Sequence, residues 1–147
     1  MIFVERLRTY TPEDAAGIGR LMPFLSASHS AAPIPEDRLR AIVESSHHEQ
    51  LVAREDTKYS IVGAATLSLT MGAGAGAKGY LEDFVTDPEV KGAGSVLWQE
   101  MGKWCLEHSV DLHFTSHPTR IAAHHFYLNR GTEIRDTTVF KKDFRND

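Results

Sequence analysis

Two glycine-rich stretches, a scatter of histidines and one cysteine are the residues whose types and spacing first suggest chemistry. Gly74-Ala75-Gly76-Ala77-Lys78-Gly79 has the form GxGxxG, a spacing that cradles phosphates when it follows a strand and opens a helix. Strand-like sequence flanks it on both sides, so a hairpin connection is expected instead. Val90-Lys91-Gly92-Ala93-Gly94-Ser95 lies between a strand-like and a helix-like segment. Amides at such a helix start, backed by the helix dipole, favour an anion. His47-His48, His113, His117 and His124-His125 raise the question of a metal. His113 and His117 fall on a strand and its end, where four residues span about 13 Å, and adjacent pairs diverge on any element. No metal site is expected. The lone Cys105 can build neither an intramolecular disulfide nor a multi-cysteine zinc site.

The elements that must position these residues follow from periodicity. Residues 2–8 read as a strand. Thr11-Pro12-Glu13-Asp14 reads as a helix start, with a Thr cap, Pro at the first position and acids in the first turn. Pro23 is expected to end or kink that helix. Residues 26–35 read as a loop, and Pro35-Glu36-Asp37 opens a second short helix. Strands are expected over 50–54, 60–70 and 80–86, with Met71 to Gly79 as a Gly/Ala spacer. A long helix from about Gly94 to His108 carries Leu97, Met101, Trp104 and Cys105 as its apolar stripe. A strand over 110–115, a helix over 118–130 and a terminal strand over 137–144 complete an alternating α/β (α+β) order. No repeat or long linker divides the chain, so 1–147 is expected to be one domain.

The chain has 147 residues with 16 Lys+Arg against 20 Asp+Glu, a formal charge of −4. That balance argues against a nucleic-acid binder and weakly permits a cationic small substrate. No apolar run approaches the roughly 18 residues that span a bilayer, and Met1-Ile2-Phe3-Val4-Glu5-Arg6 does not read as a signal peptide. A cytoplasmic protein without membrane association is the expectation.

Tyr80-Leu81-Glu82-Asp83-Phe84-Val85-Thr86-Asp87-Pro88 followed by Lys91-Gly92-Ala93-Gly94-Ser95 resembles motif A of the GNAT acetyltransferase superfamily. Ala123-His124-His125-Phe126-Tyr127-Leu128-Asn129-Arg130-Gly131 resembles that superfamily's closing motif. The order of elements agrees from residue 2 to 144. The resemblance implies a mixed, mostly antiparallel twisted sheet flanked by helices, with the fourth and fifth strands splayed to admit acetyl-CoA. It implies that Lys91, Gly92, Ala93, Gly94 and Ser95 hold the pyrophosphate. The backbone of Phe84, Val85 and Thr86 would pair with the pantetheine arm, and Arg120 and Tyr127 would touch the coenzyme. The family loop carries Gln or Arg ahead of its glycines. One register, with a shortened loop, puts Glu89 there; an ungapped register puts Lys91 there and Val96 at the second glycine. The shorter register aligns the apolar stripe with the family's buried face and is preferred.

Acetyl transfer to an amine is direct and needs no enzyme nucleophile, so Cys105 reads as a structural thiol. The resemblance makes Tyr127 the proton donor to the departing thiolate, a role suited to a phenol of pKa near 10, with Phe126 turned to the core. It makes Glu82 the general base. Strand alternation places Tyr80, Glu82 and Phe84 on one face and Leu81, Asp83 and Val85 on the other. His117 or His124 could line the acceptor site or act as the base in place of Glu82. The implied activity is N-acetylation of a primary amine of a small molecule, with acceptor residues drawn from about 22–38. The alternatives are a protein amine as acceptor, or an acyl-CoA-binding domain without turnover. A homodimer is common among relatives.

Overall fold

Neighbouring residues of the strand His48–Glu55 (β2) are buried on opposite sides, which divides the apolar interior in two: Val52 belongs to one cluster, Leu51 and Ala53 to the other. The computed structural model describes Met1–Asn146. It resolves into two compact units, Met1–Phe114 and the part from Thr115 onward. In the first unit β2 is joined by Ile2–Leu7 (β1), Ile61–Gly72 (β3), Gly76–Thr86 (β4) and Leu112–His113 (β5). The strands lie in the order β1-β2-β3-β4-β5, antiparallel except for the parallel β4–β5 pair. The helices are Pro12–Leu25 (α1), Glu36–Val43 (α2) and Ala93–His108 (α3).

Each face has its own helices. Leu7, Ile18, Met22, Leu39, Val52 and Val85 form the cluster under α1 and α2. Leu51, Leu67, Leu81, Leu97, Met101 and Trp104 form the cluster under α3, with Cys105 half-buried at its margin. The expected stripe of α3 is therefore its buried face. A buried guanidinium ties α1 to the sheet: Arg54, only 5% exposed, donates to Glu5 at 2.8 Å and to Asp14 at 2.7 Å.

Several boundaries differ from the expectations. Thr11 caps α1, its Oγ1 accepting from the Asp14 amide at 3.1 Å, but Pro23 does not stop the helix, which runs on to Leu25. Proline in the last turn removes one intrahelical hydrogen bond rather than a series of them. The Met71–Gly79 spacer is mostly strand: β3 and β4 pair as far as Gly72↔Gly76. The GxGxxG match thus closes a hairpin and opens no helix. The fifth strand shrinks from the expected 110–115 to Leu112–His113.

The second unit holds Ile121–Leu128 (α4), shorter than the expected 118–130, and a turn of 3-10 helix at Phe144–Asn146. The expected strand over 137–144 is absent. Its Val139 and Phe140 are 75% and 89% exposed. Alternation marks which face a strand would bury, but a strand forms only where a neighbour supplies the ladder.

Leu97 is fully buried and packs where Gly63 leaves room. Leu97→Ala is expected to cost about 2–5 kcal/mol, read as a lower urea midpoint with an unchanged slope.

Candidate active site

The chemistry-bearing part of the first unit is built around an irregularity in β4. Its register with β3 runs Gly63↔Thr86 and Ala64↔Val85, then jumps to Thr66↔Glu82. Two residues, Asp83 and Phe84, therefore oppose Ala65 alone, which is a β-bulge. Asp83 has φ of +51°, the left-handed conformation that Asp tolerates better than most side chains.

The bulge overturns the expected assignment of faces. Leu81 joins the α3 cluster and Phe84 packs against it, whereas Val85 joins the α1–α2 cluster. Strict alternation would have put Leu81 with Val85 and opposite Phe84. The ladder to β5 is confined to Gly79↔Leu112 and Tyr80↔His113, while β4 continues to Thr86. The sheet thus divides just where the bulge begins.

On the α1–α2 side lies a cavity of about 330 Å³ between those helices, the loop joining them and the sheet. Met22, His29, Arg38 and Leu39 wall it from the helical side, and Gln50, Thr66 and Asp83 from the strands. Met22, His29 and Arg38 come from the segment 22–38, and Gln50, Thr66 and Asp83 from the sheet. Gln50 and Thr66 are locked: Gln50 Nε2 donates to the Leu51 and Ala65 carbonyls at 3.2 Å, and its Oε1 accepts from Thr66 Oγ1 at 2.7 Å. Glu82 adjoins Asp83. Burial, and secondly the Asp83 charge, hold the Glu82 carboxyl above the usual carboxylate range.

Beyond β4 the chain reaches α3 through Lys91 and Gly92. Gly92 is the N-cap with φ of +96°, which favours glycine. No side chain caps this helix, whose first-turn amides have no intrahelical acceptor. Ala93 is buried and Gly94 and Ser95 are half-buried. Lys91 and Gly92 border an open depression of about 500 Å³ together with Ile2, Thr57, Val90 and Val96.

In the second unit, Arg120 is the N-cap of α4 and Tyr127 is the helix's buried residue. Phe126, expected to face the core, is only half-buried, with its ring edge-on to Tyr127 and the Arg130 guanidinium 3.5 Å from its centre. Burial raises the Tyr127 phenol above its ordinary pKa, opposed by the charge of Arg120. The phenol is thus protonated at neutral pH. Burial likewise raises the Cys105 thiol, with Asp111 adding to the effect. The histidines are dispersed: His113 meets Asp111 at 3.0 Å and His117 meets Thr119 at 2.8 Å. Among the described residues no three His, Cys, Asp or Glu side chains group to hold a metal.

Comparison with known proteins gives this geometry a family. The family description "Acetyltransferase (GNAT) family" matches residues 19–131. The chain belongs to the GNAT acetyltransferase family. No curated protein matches it in sequence. Solved structures share the fold at low identity. A transcriptional regulator from Bacillus halodurans C-125 is 19% identical at TM-score 0.79, covering 98% of this chain and 100% of that one. An aminoglycoside 6'-N-acetyltransferase from Acinetobacter baumannii is 16% identical at TM-score 0.74, covering 97% and 98%. A glucosamine-6-phosphate N-acetyltransferase from Arabidopsis thaliana is 15% identical at TM-score 0.72, with the same coverage. The five-stranded mixed sheet, with β4 and β5 parallel and helices flanking it, is the GNAT architecture.

The sequence reading missed Asp83 as a wall of the cavity, because period-two alternation turned it away. The signal in the sequence was weak: Asp is merely permissive of positive φ. The raised Glu82 pKa carries a stability consequence. A carboxyl that binds its proton more tightly when folded stabilises the protein fully below its unfolded pKa, and that contribution is lost as pH rises through the folded value. Glu82→Gln is therefore expected to raise Tm slightly at pH 7, and the gain disappears at pH 4. Thermal melts across that range check it.

Proposed function

We propose that this GNAT acetyltransferase moves the acetyl group of acetyl-CoA to the primary amine of a small molecule, by direct transfer. The observation that carries the reading is the walled cavity bordered by Asp83 of the β4 bulge, next in the chain to Glu82 and just beyond the point where β4 leaves β5. A cavity of this size suits a small acceptor better than a protein side chain presented from outside. Two structural neighbours, an aminoglycoside 6'-N-acetyltransferase and a glucosamine-6-phosphate N-acetyltransferase, are N-acetyltransferases of small molecules, which supports an amine acceptor of that kind.

Residues that fit the coenzyme are present. Its diphosphate would meet the uncapped start of α3, with Gly92, Ala93, Gly94 and Ser95 offering backbone groups and Lys91 a positive charge. Glu89, which stands where the family carries Gln or Arg, gives no such help, so Lys91 is the cationic contact. The pantetheine arm would lie along the backbone of Phe84, Val85 and Thr86, and Arg120 would add a phosphate contact. Bound there, acetyl-CoA supplies the thioester carbonyl.

The protein's own groups then manage protons and charge. The neutral amine forms the new C–N bond as the C–S bond breaks. Glu82 takes the proton that nitrogen loses, directly or through water, and Tyr127 gives one to the departing sulfur. Both exchange with solvent afterwards. The raised pKa of Glu82 makes it a stronger base than an ordinary carboxylate. Backbone amides near Phe84 and Val85 face the developing oxyanion.

The test is release of free thiol from acetyl-CoA across a panel of primary amines. Turnover with at least one amine is expected. Coenzyme binding with no turnover on any amine would leave a binding domain instead. Tyr127→Phe is expected to lower kcat about 100-fold or more with coenzyme Kd unchanged. Full activity in that variant would remove the acid role. Glu82→Gln is expected to lower kcat/KM similarly, and in the wild type kcat/KM falls as pH drops through the raised Glu82 pKa.

A further inference from the structure

Two exposed charges in the wall of the cavity have no ion-pair partner among the described residues. Arg6, Arg8, Arg40 and Arg54 in the first unit each meet a carboxylate. Arg40, two residues along α2 from Arg38, is held by Glu36 at 2.9 Å and Glu44 at 3.7 Å. Arg38 is different. Its backbone amide bonds Asp37 and the Pro35 carbonyl, but among the described residues its guanidinium meets no carboxylate, although it borders the cavity. Asp83 borders the same cavity from β4, and among the described residues no Lys or Arg pairs with it.

The rest of the lining cannot neutralise either charge. Gln50 and Thr66 satisfy one another and the nearby carbonyls, and Ile18, Met22 and Leu39 are apolar. His29 is the one other ionisable side chain in the wall. A ligand of one charge would answer only one of the two groups. A ligand with an ammonium at one end and an anion at the other answers both.

We propose that the acceptor carries an anionic group as well as its amine, and that Arg38 binds that group while Asp83 draws in the ammonium. The proposal rests on the acetyl-transfer reading and narrows its substrate to small amphoteric amines. A guanidinium offers paired N–H donors to either a carboxylate or a phosphate, so the shared chemistry is the anion. Arg38 is thus a specificity-determining residue that takes no part in the proton transfers.

Matched acceptors test this. One arm pairs an apolar α-amino acid with its carboxamide and its decarboxylated amine; the other pairs an amino sugar with its phosphate ester. Thiol release should favour the anionic member of at least one arm by about tenfold or more in kcat/KM, and the favoured arm identifies carboxylate or phosphate. Arg38→Ala should erase that preference through KM, with acetyl-CoA affinity unchanged; Arg38→Lys should restore part of it. Transfer to amines with no preference for the anionic members, or an Arg38→Ala loss equal on all acceptors, overturns the proposal. Thermal shifts with the same compounds, without acetyl-CoA, separate it from the activity itself. An anion-dependent shift lost in Arg38→Ala supports the ligand class even if no thiol is released, in which case the transfer reading fails alone. No anion-dependent shift together with no turnover overturns both.

Discussion

The extra residue that β4 places opposite Ala65 decides which way everything downstream of it faces. Without it, Leu81 and Val85 would share one side of the sheet and compete for the same core. With it, Leu81 seals the α3 cluster and Val85 seals the α1–α2 cluster, so both cores are completed by a single strand. The same step sets Asp83 in the cavity wall next to Glu82 in the chain, a short way beyond Tyr80, where the pairing of β4 with β5 ends. Positive φ at Asp83 costs some backbone strain, and burial on both sides of the strand holds it in place.

The two cores bear on the two halves of the proposed chemistry separately. The α3 cluster fixes the helix whose uncapped start and Gly92 turn would receive an anionic coenzyme. The α1–α2 cluster fixes the walls of the acceptor cavity, and Arg54 anchors α1 through Asp14 from inside. A net charge of −4 is compatible with an anionic ligand because backbone amides and a helix end act locally, whatever the sum over the surface.

Most of the architecture could be read from periodicity and punctuation. Thr11-Pro12 marked α1, the Leu97–Met101–Trp104 stripe marked α3, and Gly92 marked the turn between strand and helix. What escaped shares one cause. A bulge is set by pairing between strands, which a one-dimensional pattern does not record, so Glu82, Asp83 and Phe84 were given faces by an alternation that fails at Asp83. The segment 137–144 failed in the converse way: its alternation is real, but no ladder accompanies it. Arg38 and Asp83 were invisible as a pair because only folding brings α2 and β4 to one cavity.

The central claim is that the bulged strand and the start of α3 together receive acetyl-CoA. Amide hydrogen exchange with and without saturating acetyl-CoA measures this directly. The account predicts slowed exchange over residues 84–86 and 92–95, with β1 and β2 unchanged. Unaltered exchange in both of those segments at saturating coenzyme would contradict it.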